Sequence, residues 1–582
     1  MPKFPLIRRA ALILGASALF IMPSDPARAQ DALAGLEVNS LSGTYLAGRS
    51  AGLNRDVDIA ADLFSRALDL DPNNPVLMER AFLFDLSSGN IARAESLAPK
   101  VIQFASEHRL ARTVLGLRDF RLKQYAKARE HFRKAEFTPI GELAAGMLVA
   151  WSHAAEKNGK QALSALNALD TNEAFAGFKA FHGALIADLT GQKLKAENFY
   201  KESLSLSPNS MRVAQAYGNY LERANRKDEA RTVYEDFLKN SDSNALVKAA
   251  LADLNAGRKA QPFMPNANAG MSEALFSLAS ALTDEQSIDV SLIYAQLSLS
   301  VESESVVART LLGDINSDID RYEKAIEAFE SVPLTSPLRP GAELQIAVNL
   351  EKLGRGQEAL ARLTKLIEAN PANYEAHVTM GNLLRASEKY AEAGEAYSRA
   401  IELVPNPERR HWTLFYSRGI TAERLKNWPR AEADFRKALE LEPEQPLVLN
   451  YLGYSFVEKG ENLTEAMEMI RKAVELRPND GYIVDSLGWA HYQLGEYEEA
   501  VKHLERAVEL KPQDPVINDH LGDAYWRAGR KLEASFQWQH ARDSEPDDKL
   551  KAEIDAKLAN GLGEKKAPTP AASQVPAQNS VN

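Results

Sequence analysis

The sequence predicts an all-α fold, a solenoid of antiparallel helix pairs with about 13–14 repeats in two arrays. Three observations support this prediction. A residue that is usually glycine or alanine recurs at intervals of 34 residues, an alanine follows twelve residues later, and a proline closes many of the units. A fixed period of this length is typical of stacked helical hairpins, because each hairpin buries its apolar face against the next one.

The first array is predicted over residues 41–254, where the period runs without insertion or deletion. Repeat position eight is occupied, at intervals of 34, by Gly48, Phe82, Gly116, Ala150, Ala184 and Gly218. The alanines twelve residues later, at repeat position twenty, are Ala60, Ala94, Ala128, Ala162, Ala196 and Ala230. Six alanines at one spacing indicate the place where the first helix (A) and the second helix (B) of a repeat approach each other closely.

The second array is predicted over residues 275–546, with short insertions between some of its units and one extra residue between Gly453 and Ala466. The same two small residues recur there as Gly381 and Ala393, Gly419 and Ala431, Gly453 and Ala466, Gly488 and Ala500, and Gly522 and Ala534. A large side chain, often aromatic, stands four residues after most of these alanines and is expected to fill the space between repeats.

Two further segments differ from the repeats. Residues 255–274 are rich in Gly, Pro and Asn, which predicts either a hinge between the arrays or one distorted repeat in a continuous superhelix. Residues 547–561 place Leu550, Ile554 and Leu558 one helical turn apart, with charges on the other faces. This segment predicts a helix that caps the end of the solenoid.

The two ends of the chain have the composition of a targeting segment and of a tail. Basic residues precede an apolar run over residues 10–22, and small residues follow at a signal-peptidase-like site. A run of about 13 residues is too short to cross a bilayer as a helix. We therefore expect a signal peptide over residues 1–29, a periplasmic mature chain without a transmembrane segment, and a disordered Pro/Ala/Ser-rich tail over residues 562–582.

Composition narrows the possible functions. The chain has no cysteine, which excludes disulfides, a thiolate nucleophile and a cysteine-ligated metal. Its net charge of -11 argues against nucleic acid as a ligand. The motifs of zinc proteases, phosphate-binding loops, serine hydrolases and dinucleotide-binding domains are missing. The sequence thus predicts a protein that is not an enzyme and holds no cofactor or metal.

The period, the small residues at positions eight and twenty, and the terminal proline together resemble the tetratricopeptide repeat. This resemblance implies a superhelical solenoid in which positions 2, 5, 9 and 12 of helix A face a concave groove. It also implies a scaffold whose partners are other proteins or peptides. In the last three repeats the candidate groove residues are Asn450, Tyr454, Tyr482, Asp485, Trp489, Tyr492, Asp519, Asp523 and Trp526.

The aromatic groove residues allow two interpretations. Each carries about 150–250 Å² of surface that is costly to leave in water, so either the rings pack on one another or a partner covers them. The carboxylates of Asp485, Asp519 and Asp523 would favour a partner segment that is basic or rich in hydrogen-bond donors.

The last repeats carry a further resemblance. Residues 446–541, which include the stretch DSLGWAHYQLGEYEEAVKHLERAVELKPQDP, are similar to the C-terminal repeats of bacterial periplasmic and outer-membrane adaptors of carboxyl-terminal processing proteases. The resemblance implies a periplasmic scaffold that brings client proteins to an envelope protease. The chain lacks the lipidated cysteine of the lipoproteins in that group. The alternative is a structural component of a cell-envelope assembly or polysaccharide-export complex.

Overall fold

The computed structural model describes residues 40–135, 139–169, 173–241 and 244–563. In these residues it contains 30 α-helices and no β-strand, which confirms the predicted all-α fold. The predicted signal peptide, and residues 564–582 of the predicted tail, lie outside the described residues. Among the described helices, none combines the length and the apolar character that crossing a bilayer needs.

The chain divides into two compact units, the first ending at Ala342 and the second beginning at Glu343. The first seventeen helices are α1 (Leu41–Leu53), α2 (Val57–Leu70), α3 (Pro75–Ser87), α4 (Ile91–Phe104), α5 (Arg109–Arg121), α6 (Tyr125–Arg133), α7 (Pro139–Ala155), α8 (Gly159–Asn167), α9 (Glu173–Leu189), α10 (Lys193–Leu206), α11 (Met211–Arg223), α12 (Lys227–Asn240), α13 (Ala245–Asn255), α14 (Ala267–Ser280), α15 (Ile288–Val301), α16 (Val306–Asp318) and α17 (Tyr322–Glu330).

The remaining helices are α18 (Arg339–Lys352), α19 (Gly356–Ala369), α20 (Tyr374–Ala386), α21 (Tyr390–Glu402), α22 (Trp412–Arg424), α23 (Trp428–Leu441), α24 (Pro446–Lys459), α25 (Leu463–Leu476), α26 (Gly481–Leu494), α27 (Tyr497–Leu510), α28 (Pro515–Arg527), α29 (Lys531–Asp543) and α30 (Asp548–Asn560), with a short 3₁₀ helix at Arg409–His411. In most of the chain each helix packs chiefly against its neighbours in sequence, as in α26 with α27 and α28 with α29. This is the contact pattern of stacked helical hairpins.

Small residues bring the two helices of a repeat together. A Cβ atom added at Gly488 would lie 2.5 Å from Cγ of Leu504, and one added at Gly522 would lie 2.4 Å from Cδ1 of Trp538. Gly381, Gly419 and Gly453 have the same close approach from the large residue of their own repeat. The alanines at position twenty of these repeats are completely buried: Ala393, Ala431, Ala466, Ala500 and Ala534. The large residue thus packs over the glycine within one repeat.

A second periodic feature marks the turn between helices A and B. The backbone is left-handed at Arg55, Gly89 and Lys123, with φ of 61°, 83° and 59°, and these positions are 34 residues apart. One left-handed residue ends a helix by turning its last carbonyl groups toward the following backbone N–H groups. The 34-residue period therefore appears in the backbone conformation as well as in the positions of the small side chains.

The inner face of the first unit is covered by its own chain. Helix α14 packs against α7 and α9, and α15 packs against α3. The indole of Trp151 is fully buried, and Gly270 lies so close to it that a Cβ there would be 2.0 Å from Cζ3. The guanidinium of Arg212 forms a bidentate ion pair with Glu273. Its Nε lies 2.9 Å from Oε1, and its Nη2 lies 2.5 Å from Oε2.

These contacts place residues 255–274 inside the first unit, where α14 begins at Ala267. The boundary between the two compact units lies later in the chain, between Ala342 and Glu343. The array boundaries inferred from the repeat, including the hinge or distorted repeat at residues 255–274, stay predictions. The helix expected over residues 547–561 is present as α30.

Candidate functional site

A cleft of about 670 Å³ lies on the second unit. We call it the central cleft and define it by Asn450, Tyr454, Tyr482, Asp485 and His520, which all line it. The first two residues are one turn apart on α24 and the next two are nearly one turn apart on α26. Stacking of successive A helices therefore brings four of the nine predicted groove residues to one place.

One buried oxygen in the central cleft lacks a hydrogen-bond donor. Among the described residues, Oδ1 of Asn450 has no hydrogen-bond partner. The neighbouring hydroxyl of Tyr454 is held neutral, because burial and the carboxylates of Glu458 and Asp485 raise its pKa. A buried acceptor without a donor is costly, so a ligand that brings an N–H group to Asn450 gains binding energy there.

The carboxylate of Asp485 is paired with a histidine of the next repeat. Nδ1 of His520 lies 2.9 Å from Oδ1 and 3.1 Å from Oδ2 of Asp485. Burial alone would lower the pKa of His520, but the carboxylate of Asp485, assisted by Asp519 and Asp523, raises it above the usual value. Asp485 therefore faces the cleft with a basic side chain of the same chain already beside it.

Trp489 and Tyr492 pack in an aromatic stack instead of standing free. The ring of Trp489 stacks on those of Tyr492 and His520, with centroid distances of 4.6 and 4.0 Å. Its indole nitrogen donates to Oε1 of Glu458 at 2.7 Å. The packing interpretation thus describes these two rings, whereas Tyr482 keeps 55% of its surface exposed.

The remaining three candidates, Asp519, Asp523 and Trp526, lie under helix α30. Nζ of Lys557 is 2.6 Å from Oδ2 of Asp519 and 2.8 Å from Oδ1 of Asp523. Gly561 sits on the indole of Trp526, since a Cβ there would be 2.1 Å from Cζ2. The two carboxylates, like Asp485, have a basic side chain of the same chain as their partner.

Sequence reasoning did not identify His520 and Lys557 as the partners of the groove carboxylates, because each reaches its carboxylate from 34 or more residues further along the chain. It also did not foresee the covered inner face of the first unit. A signal for that was present: position nine of four successive repeats is the bulky apolar set Leu83, Leu117, Trp151 and Leu185. Apolar residues on a groove face predict that something covers it.

The described residues contain no group of three or more histidine or carboxylate side chains arranged to hold a metal ion. Two histidines of the last repeats each have a ring nitrogen in a hydrogen bond within the chain. His540 lies with Nδ1 3.0 Å from Oδ1 of Asn518, while His520 pairs with Asp485. The chemistry that this surface offers is hydrogen bonding and aromatic contact.

Three segments of the second unit match family models of the tetratricopeptide repeat. Residues 344–406 and 416–481 match the model described as "Tetratricopeptide repeat", and residues 488–529 match the one described as "TPR repeat". These segments are tetratricopeptide repeats, a class of helical hairpin that binds proteins or peptides. The repeat type predicted from the sequence is confirmed for them.

Curated relatives match the chain over limited lengths. Protein O-mannosyl-transferase TMTC3 of Homo sapiens is 27% identical over 197 residues, which are 31% of this chain and 21% of the human protein. TPR repeat-containing protein PA4667 of Pseudomonas aeruginosa is 28% identical over 160 residues, 27% of this chain and 26% of that protein. The chain thus spans about a quarter or less of these relatives.

Solved structures with similar chains include the APC/C hetero-tetramer Cut9-Hcn1 and yeast Tom70. The first is 15% identical with a TM-score of 0.38, covering 93% of this chain and 99% of that chain. The second is 15% identical with a TM-score of 0.34, covering 90% of this chain and 95% of that chain.

Proposed function

We propose that the chain is a protein-binding scaffold without catalytic activity and that it binds a polypeptide segment in the central cleft of its second unit. The observation that carries the proposal is the buried Oδ1 of Asn450, which lacks a donor beside the half-exposed ring of Tyr482. A polypeptide supplies both complements, an N–H group for the amide oxygen and an apolar side chain for the ring.

Charges around the central cleft suit a segment that carries both signs. Glu423, Glu458, Arg424 and Lys459 line it together with the aromatic residues. Because exposed charges steer association more than they add affinity, these residues should act on the rate of binding and on its salt dependence. The inner face of the first unit is covered by α14 and α15, so we assign ligand binding to the second unit.

A more specific part of the proposal concerns the cellular location of the chain and the identity of its protein partner. We propose that residues 1–29 direct export and are removed, and that the mature chain works in the periplasm. There it would bring client proteins to a carboxyl-terminal processing protease. The signal-like composition of the first residues and the similarity of residues 446–541 to such adaptors support this part.

Site-directed photo-crosslinking in cells tests the binding surface. A photoreactive residue at Tyr482 should capture a defined protein, whereas the same residue at Leu194, which is 82% exposed on the first unit, should not. Asn450→Ala should weaken the Tyr482 crosslink without changing the melting temperature. Equal crosslinks from both positions would refute a specific cleft.

The identity of the captured protein tests the adaptor role, and the cellular location of the chain tests the export step. A processing protease or its client at Tyr482 supports the adaptor role, whereas a stoichiometric membrane complex supports the structural alternative. Fractionation should place the protein in the periplasm with Gln30 as its first residue. A cytoplasmic chain that keeps its first 29 residues would contradict the export step.

A further inference from the structure

The groove face of the last repeat already holds a helical ligand, which is helix α30 of the same chain. Lys557 reaches between two carboxylates that are 7% and 8% exposed, those of Asp519 and Asp523. Oδ1 of Asp523 also accepts a hydrogen bond from the indole nitrogen of Trp538, at 2.9 Å. We call this face, made of Asp519, Asp523, Trp526 and Trp538, the terminal face.

An apolar ridge completes the contact. Leu550, Ile554 and Leu558 follow one side of α30 and pack into the cluster that contains Trp526 and Trp538. The two indoles lie 5.4 Å apart and form a broad apolar platform. The terminal face therefore recognises a simple pattern: Leu or Ile at positions i, i+4 and i+8 of a helix, with Lys at i+7.

Helix α30 is held more weakly than the helices of the repeats. Ile554 is its only fully buried residue, whereas α28 buries eight of its thirteen residues. Most of the stability of a short helix in a protein comes from its packed face. Segments with few buried apolar contacts open locally at low free energy, so α30 belongs to the part of the chain that undocks most easily.

The ion pair does not offset this weak packing. Both Asp519 and Lys557 are largely withdrawn from water, and taking two charges out of water cancels much of their attraction. In addition, Oδ1 of Asp519 has no hydrogen-bond partner among the described residues. The terminal face thus has an unfilled acceptor even when α30 is docked.

We propose that the terminal face is a second docking site, distinct from the central cleft, and that α30 is a built-in competitor which keeps it closed. Its external ligand is an amphipathic helix of a partner protein with the pattern of α30, three aliphatic residues and one Lys. Such a helix displaces α30 and forms the same ion pair with Asp519 and Asp523. The chain then binds its partner only when the helix is present at a concentration that overcomes the competitor.

A labelled synthetic peptide of residues 547–562 is the probe, because it is the one helix whose fit to the terminal face is visible. We expect it to bind the full-length Ile554→Asp variant at least 10-fold more tightly than the wild-type chain, since this substitution undocks the resident helix. Ala559→Asp, on the exposed side of α30, is the matched control and should bind as the wild type does. Adding Asp519→Asn and Asp523→Asn to Ile554→Asp should abolish the gain.

Two further measurements test whether α30 opens readily and whether the two sites are separate. Hydrogen exchange on the wild-type chain should show that amides of α30 exchange at least 10-fold faster than those of α28. Adding Tyr482→Ala to Ile554→Asp should leave binding of the peptide unchanged, which separates this site from the central cleft.

Three results would overturn the proposal. They are equal protection of α30 and α28, an Ile554→Asp chain with native circular dichroism that gains no affinity for the peptide, and a wild-type dimer that Ile554→Asp converts to a monomer. The last result would mean that the helix on the terminal face comes from a second copy.

Discussion

The indole nitrogen of Trp151 lies 3.1 Å from Nδ1 of His182, in a part of the first unit where neither residue is exposed. An indole N–H can only donate, so Nδ1 of this histidine acts as the acceptor and carries no proton. Burial accordingly lowers the pKa of His182 from 6.5 to about 4. The hydrogen bond lies beside the contact of Trp151 with Gly270, and it helps to orient the ring against which α14 packs.

His182 should make the first unit sensitive to acid. Its pKa is depressed in the folded chain, so its contribution to the free energy of unfolding is present above pH 6.5 and is lost as the pH falls toward 4. The shift corresponds to a loss on the order of 3 kcal/mol. Urea unfolding at pH 7 and pH 4.5 should show this loss in the wild type and a smaller one in His182→Asn. The control His377→Asn should keep the wild-type dependence, and an unchanged dependence in His182→Asn would contradict the prediction.

Gly270 should be required for the covered inner face of the first unit. Its substitution by alanine places a Cβ 2.0 Å from the Trp151 ring, and we expect a loss of about 1–3 kcal/mol in the free energy of unfolding. Gly341→Ala is the control, because no atom lies within 4 Å of its added Cβ. The control should gain up to about 1 kcal/mol from helix propensity. Equal effects of the two substitutions in urea unfolding would mean that α14 does not depend on this contact.

The helix pairs could be predicted from the sequence because the residues that form them are close in the chain. Gly488, Ala500 and Leu504 lie within one repeat, and their spacing fixes which helices touch. The return of α14 and α15 onto the first unit could not be read from the period. It depends on contacts such as Arg212 with Glu273, 61 residues apart, and Arg121 with the carbonyl of Ser300, 179 residues apart.

For the candidate site, too, the sequence predicts the positions that the repeat determines but not the contacts between distant residues. Asn450 and Tyr454 share a face of one helix, and Tyr482 and Asp485 occupy the equivalent face one repeat later, so their convergence follows from the repeat. The repeat does not reveal which side chains pair with the groove carboxylates. Charge alone suggested a basic partner, whereas the partner of Asp485 is His520, and it takes the three-dimensional stack to bring that pair together.

Ala500 should tolerate no larger side chain. It is completely buried between α26 and α27, so Ala500→Leu should lower the free energy of unfolding of the second unit by about 1–3 kcal/mol through overpacking. Ala552→Leu, on the exposed side of α30, adds the same atoms and should change it by less than about 0.5 kcal/mol. Thermal and urea unfolding check both variants. Comparable losses of the free energy of unfolding in the two variants would contradict tight packing between α26 and α27 at Ala500.

The pair of Asp485 and His520 should stabilise the second unit most at low pH. The pKa of His520 is raised in the folded chain, so the contribution of the pair is complete below the ordinary value of about 6.5. It is lost as the pH rises through the raised pKa, because a neutral imidazole attracts the carboxylate less. The free energy of unfolding of the wild type minus that of Asp485→Asn should therefore be largest near pH 6 and should shrink toward pH 9. Glu509→Gln, which changes an exposed carboxylate paired with Arg506, should show no such trend. A wild-type advantage over Asp485→Asn that grows with pH would mean that His520 is neutral in the folded chain.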